Sequence, residues 1–248
     1  MMNDFAIIIQ ARNGSSRLPR KMVLDFYRSK GIFEIILDNL SDFFPPDKLI
    51  LATTTAEQDN ILADIARKKG IRIHRGNEND VLQRFIDTAE AFHIKNIVRV
   101  CADNPFLMPS YIRPLTQYEN YDYVSYTLPD QTPVIKTHWG LFAEFTRLDT
   151  LLRIKEETDE PVYHEHVTNY IYTHPDKFSI KYLPLPEEIR HKKNFRLTLD
   201  TKDDFDILKK IYAQWINTDK SLKSLVNIVE SDKDILNAML KQIRQNEK

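Results

Sequence analysis

The sequence predicts an α/β protein in which a mostly parallel mixed sheet is flanked by helices. Residues 5–9 form an apolar run whose β-branched composition is typical of a strand covered on both faces. Short apolar runs then alternate with stretches of helical periodicity as far as residue 100. This alternation favours parallel strands joined by right-handed crossovers, and ligands of such sheets bind outside the carboxyl ends of the strands.

The elements of the first half are predicted from periodicity and stop signals. After the first strand we expect a helix, a strand, a helix, a short strand, a helix and a strand, at residues 32–44, 48–53, 57–69, 71–74, 80–92 and 96–100. Pro45 and Pro46 end the first helix because proline cannot continue one. Gly70 ends the second, because glycine readily adopts the left-handed turn that follows a helix.

The second half is less regular. Strands are predicted at residues 121–127, 134–138, 178–183 and 195–199, with the first two as an antiparallel extension of the sheet. Helices are predicted at residues 141–156, 165–174, 202–216, 222–229 and 234–244. With only 5 glycines the chain shows no flexible linker, so we expect a single domain over residues 1–248.

Composition narrows the class of protein. A formal net charge of −1 produces no global field that would attract nucleic acid or an anionic membrane. The single cysteine, Cys101, excludes an intrachain disulfide and a cysteine-based zinc cage, and it fits a reducing compartment. No apolar run approaches the roughly 20 residues that span a bilayer, and no signal-peptide pattern is visible. We therefore expect a cytoplasmic protein with neither nucleic-acid nor membrane partners.

The loop after the first strand is crowded with cations. Four of them occur within ten residues, with no acid among them: Arg12, Arg17, Arg20 and Lys21. Asn13 and Gly14 allow a turn with positive φ, and Ser15 and Ser16 add hydroxyl donors. Backbone amides, hydroxyls and cations together suit a polyphosphate. The loop is neither a Walker loop nor a G-x-G-x-x-G turn, and a solvated basic turn is the alternative interpretation.

The pattern Arg12-x-Gly14-Ser15-x-Arg17-Leu18-Pro19-x-Lys21 after an N-terminal strand resembles the signature of the cytidylyltransferases that activate sugars. It is most similar to the SpsF-like family of spore-coat polysaccharide biosynthesis, which is related to CMP-Kdo and CMP-sialate synthetases. The resemblance implies a Rossmann-like nucleotide-diphospho-sugar transferase fold. Its nucleotide-binding half would cover about residues 1–120, and its acceptor-side half with the C-terminal helices about residues 121–248.

The resemblance also implies a reaction. CTP, or another pyrimidine nucleoside triphosphate, would react with a sugar-type acceptor, with Mg²⁺ as the cofactor, and a homodimer is compatible with the family. Arg12, Arg17 and Lys21 would act in catalysis. The nucleotide would be bound by the residues around them, which are Gln10, Ala11, Gly14, Ser15 and Ser16. Arg20 departs from the pattern, because the family usually has glycine at this position.

Two acids follow predicted strands. Asp103 comes just after the strand at residues 96–100, and Asp200 comes just before the helix at residues 202–216. Carboxylates suit Mg²⁺, but either acid could instead cap a turn or a helix. The two segments resemble the family patterns R-x-T-G-D-C-P-L and R-x-T-x-D-T-x-x-D, and this resemblance implies that both acids are metal ligands. Ala102 and Asn104 depart from the first pattern.

A third set of residues would read the base and the ribose. Residues 53–55 together with Asp59 resemble the family's A-T-T/S-x(n)-D segment, with Thr53 and Thr54 as the candidates for binding. Residues 75–84 resemble R-G-S-x-x-D-V-L-x-R. These matches imply that Asp80 and Arg84 bind the nucleotide, and Arg99 is a further candidate. Asp80 could equally cap the helix that follows it. Elementary chemistry does not choose between cytosine and uracil here.

The acceptor side is predicted from two further matches. Residues 140–144 resemble G-L-x-x-E, and residues 164–168 resemble R-E-H-V-T with histidine in place of arginine. The acceptor-side candidates are Lys136, His138, Glu144 and His166. Zinc binding by His164 and His166 is disfavoured, because a spacing of two places them on different faces of a helix and H-E-x-x-H is absent.

The resulting hypothesis is nucleotidyl transfer, in which an acceptor oxygen attacks the α-phosphorus and pyrophosphate leaves. A phosphate acceptor would need no general base, whereas a hydroxyl acceptor would need one. A glycosyltransferase of similar fold is one alternative, but we find no acidic D-x-D pair in a suitable context. A non-catalytic nucleotide-binding regulator is another, and the presence of both Asp103 and Asp200 disfavours it.

Overall fold

A computed structural model describes residues 5–245 of the chain. Its strands are β1 (Phe5–Gln10), β2 (Leu49–Thr54), β3 (Arg72–Gly76), β4 (Asn96–Cys101), β5 (Tyr123–Thr127), β6 (Glu144–Arg147) and β7 (Ile180–Pro184). They form one sheet in the order β3-β2-β1-β4-β6-β5-β7. All neighbouring strands are parallel except at β6, which runs antiparallel to both β4 and β5. The predicted mostly parallel mixed sheet is therefore confirmed.

Helices cover both faces of this sheet. They are α1 (Ile32–Ser41), α2 (Asn60–Lys68), α3 (Val81–Ala91), α4 (Ile112–Leu115), α5 (Leu148–Glu157), α6 (Pro161–Glu165), α7 (Asn169–Thr173), α8 (Lys202–Trp215), α9 (Leu222–Ser231) and α10 (Lys233–Gln245). Ile7 and Ile9 pack on one face in an apolar cluster with α1 and α8, while Ala6 and Ile8 pack on the other with α3 and α5. This two-sided burial explains why β1 is a continuous apolar run.

The helices α3 and α8 each begin at a residue whose side chain caps the helix N-terminus. The Asp80 carboxylate accepts a hydrogen bond from the backbone N–H of Gln83 at 2.8 Å, at the start of α3. Thr201 and Asp204 form a reciprocal capping box at the start of α8. Such caps satisfy backbone donors that the first turn of a helix leaves unpaired, so they fix where each helix begins.

Four predictions for the second half are wrong. Residues 134–138 contain a short 3-10 turn at Val134–Lys136 instead of a strand, and the helix expected over residues 141–156 is the strand β6 followed by α5. Residues 195–199 lie outside the sheet; Leu199 N–H donates to the Asp103 carbonyl at 3.0 Å without forming a ladder. The helix expected at residues 165–174 is broken: the range includes the last residue of α6, a non-helical stretch at residues 166–168, and the whole of α7. No helix within residues 5–245 is long and apolar enough to cross a membrane.

Candidate active site

A cavity of about 960 Å³ opens where β1 and β4 end. This is the edge at which ligands of parallel sheets bind. Thirteen of the predicted site residues line it: Gln10, Ala11, Arg12, Gly14, Ser15, Ser16, Arg17, Lys21, Arg99, Asp103, Lys136, His166 and Asp200. The remaining six lie outside the lining: Thr53, Thr54, Asp80, Arg84, His138 and Glu144. The structure therefore brings together the basic loop and both acids, with Lys136 and His166 from the second half.

The basic loop after β1 is fixed in position by the buried carboxylate of Asp59. Asp59 is fully buried, and its Oδ1 accepts a hydrogen bond from the Asn13 backbone N–H at 2.7 Å. Its Oδ2 accepts a hydrogen bond from the Thr54 hydroxyl, and the Asn13 amide donates to the Gln58 carbonyl at 2.9 Å. Thr54 thus acts on the loop through Asp59, and neither Thr54 nor Thr53 lines the cavity.

A turn in the loop sets the position of Lys21. The Lys21 N–H donates to the Leu18 carbonyl at 3.2 Å, and the Arg20 N–H donates to the Asn13 carbonyl at 3.3 Å. Arg20 has a φ of 58°, which is the left-handed conformation that glycine adopts without steric cost. A glycine, which the resemblance implies at this position, would adopt the same backbone conformation without strain. The side chain of Arg20 is exposed and does not line the cavity.

Opposite charges meet at the carboxyl edge of the sheet. Lys21 Nζ lies 2.6 Å from the Leu199 carbonyl, 3.3 Å from Asp103 Oδ2 and 3.7 Å from Asp200 Oδ1. Arg17 Nη2 lies 3.0 Å from Asp200 Oδ1. The Lys21 side chain is 9% exposed and that of Arg17 is 55% exposed, so the lysine is fixed while the arginine extends into solvent.

Asp200 is oriented by a buried arginine. Arg196 binds both oxygens of Asp204, through Nε at 2.7 Å and Nη2 at 2.9 Å, and its Nη2 also lies 3.2 Å from Asp200 Oδ2. Burial alone would lower the pKa of Arg196, but the carboxylates of Asp204 and Asp200 hold it above its ordinary value. Arg196 Nη1 also lies 2.7 Å from Nδ1 of His138. His138, predicted to face the acceptor, thus supports Arg196 instead.

Glu144, also predicted to face the acceptor, lies behind Arg99. The Glu144 side chain is 2% exposed, and its Oε2 lies 2.6 Å from Arg99 Nη1. The hydroxyls of Tyr123 and Thr168 donate to its other oxygen. Arg99 Nη2 donates to Gln10 Oε1 at 3.3 Å, so the buried pair orients the end of β1. Burial and the nearby Glu144 charge raise the pKa of the Tyr123 hydroxyl well above its ordinary value.

Asp80 and Arg84 shape the neighbouring loop without lining the cavity. Asp80 caps α3, and its Oδ2 lies 2.9 Å from both Lys155 Nζ and His164 Nδ1. Burial would raise the pKa of Asp80, but the Gln83 N–H and these two side chains hold it below its ordinary value. The Arg84 guanidinium is buried and donates to the Asn77 carbonyl.

Several residues that line the cavity were not among the predicted site residues, although some belong to segments that match the family's sequence patterns. Asn104, Gly140, Tyr172 and Thr198 line the cavity. Gly140 has a φ of 59°, and a Cβ at this position would lie 2.5 Å from Asn104 Oδ1, so both conformation and contact require glycine. Thr198 could have been predicted, because it belongs to the same sequence match that indicated Asp200. No sequence pattern indicated Tyr172, because its position on α7 is brought to the cavity only by the tertiary fold.

The residues present fit a divalent metal that is shared with a substrate. Asp103 and Asp200 supply hard carboxylate oxygens within 3.3 and 3.7 Å of one ammonium group, that of Lys21. Within residues 5–245 no group of three or more His, Cys, Asp or Glu side chains could hold a metal ion. Mg²⁺ commonly binds through one or two carboxylates and completes its shell with phosphate oxygens and water. The donor set therefore suits Mg²⁺ in the presence of a polyphosphate.

A basic loop after β1, facing two carboxylates at the carboxyl edge of a mostly parallel sheet, defines a Rossmann-like nucleotidyltransferase. A family model described as Cytidylyltransferase matches residues 6–244. The chain belongs to the cytidylyltransferase family. It is 35% identical over 239 residues to the spore coat polysaccharide biosynthesis protein SpsF of Bacillus subtilis, an alignment that covers 94% of this chain and 97% of that protein. The predicted family is thereby confirmed.

Solved structures extend the likeness to three dimensions. A cytidylyltransferase from Leptospira borgpetersenii superposes with a TM-score of 0.81 at 26% identity, covering 94% of this chain and 96% of that one. A CMP:2-keto-3-deoxy-manno-octonic acid synthetase, solved in complex with CTP, superposes with a TM-score of 0.62 at 13% identity, covering 85% of this chain and 99% of that one. At that identity the second likeness concerns the fold alone.

Proposed function

We propose that the protein transfers CMP from CTP to a sugar-type acceptor, with release of pyrophosphate, in the synthesis of a cell-surface polysaccharide. The observation that carries the proposal is the convergence of three loop cations and two carboxylates on one cavity: Arg12, Arg17, Lys21, Asp103 and Asp200. Membership of the cytidylyltransferase family supports CTP as the nucleotide, with UTP as the second candidate. The name of the Bacillus subtilis relative supports the polysaccharide pathway.

The chemistry assigned to the loop is charge stabilisation. An acceptor oxygen forms a bond to the α-phosphorus while the bond from that phosphorus to the bridging oxygen of pyrophosphate breaks. Negative charge grows on the leaving phosphates, and Arg12, Arg17 and Lys21 line the cavity where their donors can meet it. Backbone amides at Gly14 and Ser15 would add neutral donors to the same oxygens.

Mg²⁺ is proposed as the cofactor, with Asp103 and Asp200 as its protein ligands. When bound, it would offset charge on the phosphates and orient them for displacement. The chain's own contribution is to hold the two carboxylates in place. Arg196 fixes Asp200, and the hydrogen bond from the Leu199 N–H to the Asp103 carbonyl, at 3.0 Å, joins the two segments that carry the acids.

The acceptor is assigned to the side of the cavity formed by the second half. Lys136 and His166 line that side and are exposed, so they are placed to meet an anionic group on the acceptor. Glu165, which also lines it, lies 3.7 Å from Arg12 and so links this wall to the basic loop. An acidic sugar or a sugar phosphate fits this combination of charges.

Pyrophosphate release by the purified protein tests the proposal. Each of the four nucleoside triphosphates is combined with a panel of acidic sugars, sugar phosphates and neutral sugars in the presence of Mg²⁺. We expect release only with a pyrimidine triphosphate, CTP before UTP, and only with an anionic acceptor. Release with ATP or GTP would contradict the nucleotide assignment. Consumption of a nucleotide sugar without pyrophosphate release would favour a glycosyltransferase instead.

A further inference from the structure

Lys21 occupies a position that its role toward phosphates does not require. Its ammonium group lies between the two carboxylates, 3.3 Å from Asp103 Oδ2 and 3.7 Å from Asp200 Oδ1. A third contact, 2.6 Å from the Leu199 carbonyl, directs the group into this position. The side chain is only 9% exposed, so water screens these charges little. Lys21 is thus a counter-ion for the same two acids to which a divalent metal has been assigned.

The segments that carry the two carboxylates are joined by contacts that do not involve Lys21. The Leu199 N–H donates to the Asp103 carbonyl at 3.0 Å, which ties the segment ending at Asp200 to the loop after β4. Asp200 is also held through its Oδ2 by Arg196, which is itself bound to both oxygens of Asp204. The acid pair is therefore a preformed site for a cation, and the protein supplies one of its own.

We propose that Lys21 is a built-in competitor of the divalent metal at Asp103 and Asp200, and that binding of a polyphosphate removes this competition by drawing the Lys21 ammonium away. Arg17 and Arg196 also contact Asp200. The Lys21 ammonium, however, lies near both acids, 3.3 Å from Asp103 and 3.7 Å from Asp200. The physical reason for the competition is that a divalent cation cannot approach the two acids together without repulsion from this ammonium group. Triphosphate oxygens offer Lys21 an alternative anionic partner, which frees the carboxylates for metal. By linkage, the nucleotide raises the affinity for metal at this pair and the metal raises the affinity for nucleotide by the same factor.

The proposal rests on the proposed metal site, and its test measures metal binding directly, with neither nucleotide nor turnover. Binding of Mn²⁺ is followed by the electron paramagnetic resonance signal of the free ion. We expect the wild type to bind Mn²⁺ weakly and Lys21→Met to bind it at least about tenfold more tightly, because the internal charge is gone. Lys21→Arg, which keeps the charge, should bind as weakly as the wild type.

Two controls separate a local effect from a general one. Arg20→Met removes one positive charge from the adjacent residue, whose exposed side chain does not line the cavity, so it should leave Mn²⁺ affinity unchanged. The double variant Lys21→Met with Asp103→Asn should lose the tight binding, which locates the metal at the acid pair. If Lys21→Met does not fold, Lys21→Gln removes the same charge while keeping a donor for the Leu199 carbonyl.

Equal Mn²⁺ affinity of the wild type and of folded Lys21→Met would overturn the competition. A rise of the same size in Arg20→Met would overturn it too, since the effect would then come from net charge. Tight binding that survives in the double variant would show that the metal lies elsewhere, which overturns the proposed metal site as well. A wrong nucleotide or acceptor assignment alters none of these results, so the two kinds of failure are distinguishable.

Discussion

Replacing Arg20 by glycine should stabilise the protein, because Arg20 holds a left-handed backbone conformation with a φ of 58°. This conformation costs a residue with a Cβ roughly 1–2 kcal/mol, whereas glycine gives up about 0.5–1 kcal/mol in additional chain entropy on folding. The difference predicts a net gain of about 0–1.5 kcal/mol for Arg20→Gly, with a midpoint of roughly 0.75 kcal/mol. For a chain of this size the midpoint corresponds to a rise in melting temperature of about 1.5–3 °C, measurable by calorimetry.

The same variant should have little effect on the nucleotide. The Arg20 side chain is exposed and does not line the cavity, so the apparent affinity for CTP should change by less than about tenfold. Arg20→Ala is the matched control: it keeps the Cβ and therefore the strain, and should melt no higher than the wild type. Lys220, with a φ of 55° and a position outside the cavity lining, should gain comparable stability on replacement by glycine.

Either of two results would refute this reasoning. An equal rise in melting temperature for Arg20→Ala would show that the side chain, not the backbone, is unfavourable. A loss of CTP affinity greater than tenfold in Arg20→Gly would show that the arginine contacts the phosphates.

Four further predictions concern the site. Asp103→Asn and Asp200→Asn should each abolish pyrophosphate release, at a cost of several kcal/mol in barrier, while circular dichroism shows an intact fold; near wild-type activity with Mg²⁺ would exclude that acid as a ligand. Lys21→Ala should lower kcat by orders of magnitude, since it removes charge stabilisation in the transition state, and steady-state kinetics that show an unchanged kcat would contradict this. In thermal-shift titrations with Mg²⁺, CTP should raise the melting temperature more than ATP or GTP does. Glu144→Gln should destabilise the fold by about 3–5 kcal/mol in urea unfolding, because it leaves the buried Arg99 charge without its partner; a loss below about 1 kcal/mol would mean that the pair is dispensable.

Local patterns in the sequence were sufficient to predict the strands of the first half of the fold and several of the residues that line the cavity. Strands that are buried on both faces and amphipathic helices can be told apart by the spacing of their apolar residues alone. Every strand predicted before residue 100 is present within one or two residues of its predicted ends. The basic loop and Asp103 line the cavity because they follow β1 and β4, and adjacent parallel strands end at the same edge. A resemblance in the loop also indicated that position 20 usually holds glycine.

Long-range contacts decided the remaining structure, namely the strand β6 and the direction in which several polar side chains face. Residues 144–147 form a strand because they fill the place between β4 and β5, although their spacing also suits a helix. Whether a polar side chain lines the cavity or contacts a residue outside it depends on partners far away in the chain. Glu144 forms an ion pair with Arg99, and His138 forms a hydrogen bond with Arg196. The sequence by itself determined which charges gather at the carboxyl edge. Only the tertiary structure placed Lys21 between Asp103 and Asp200, because that position depends on a carbonyl at Leu199, far along the chain.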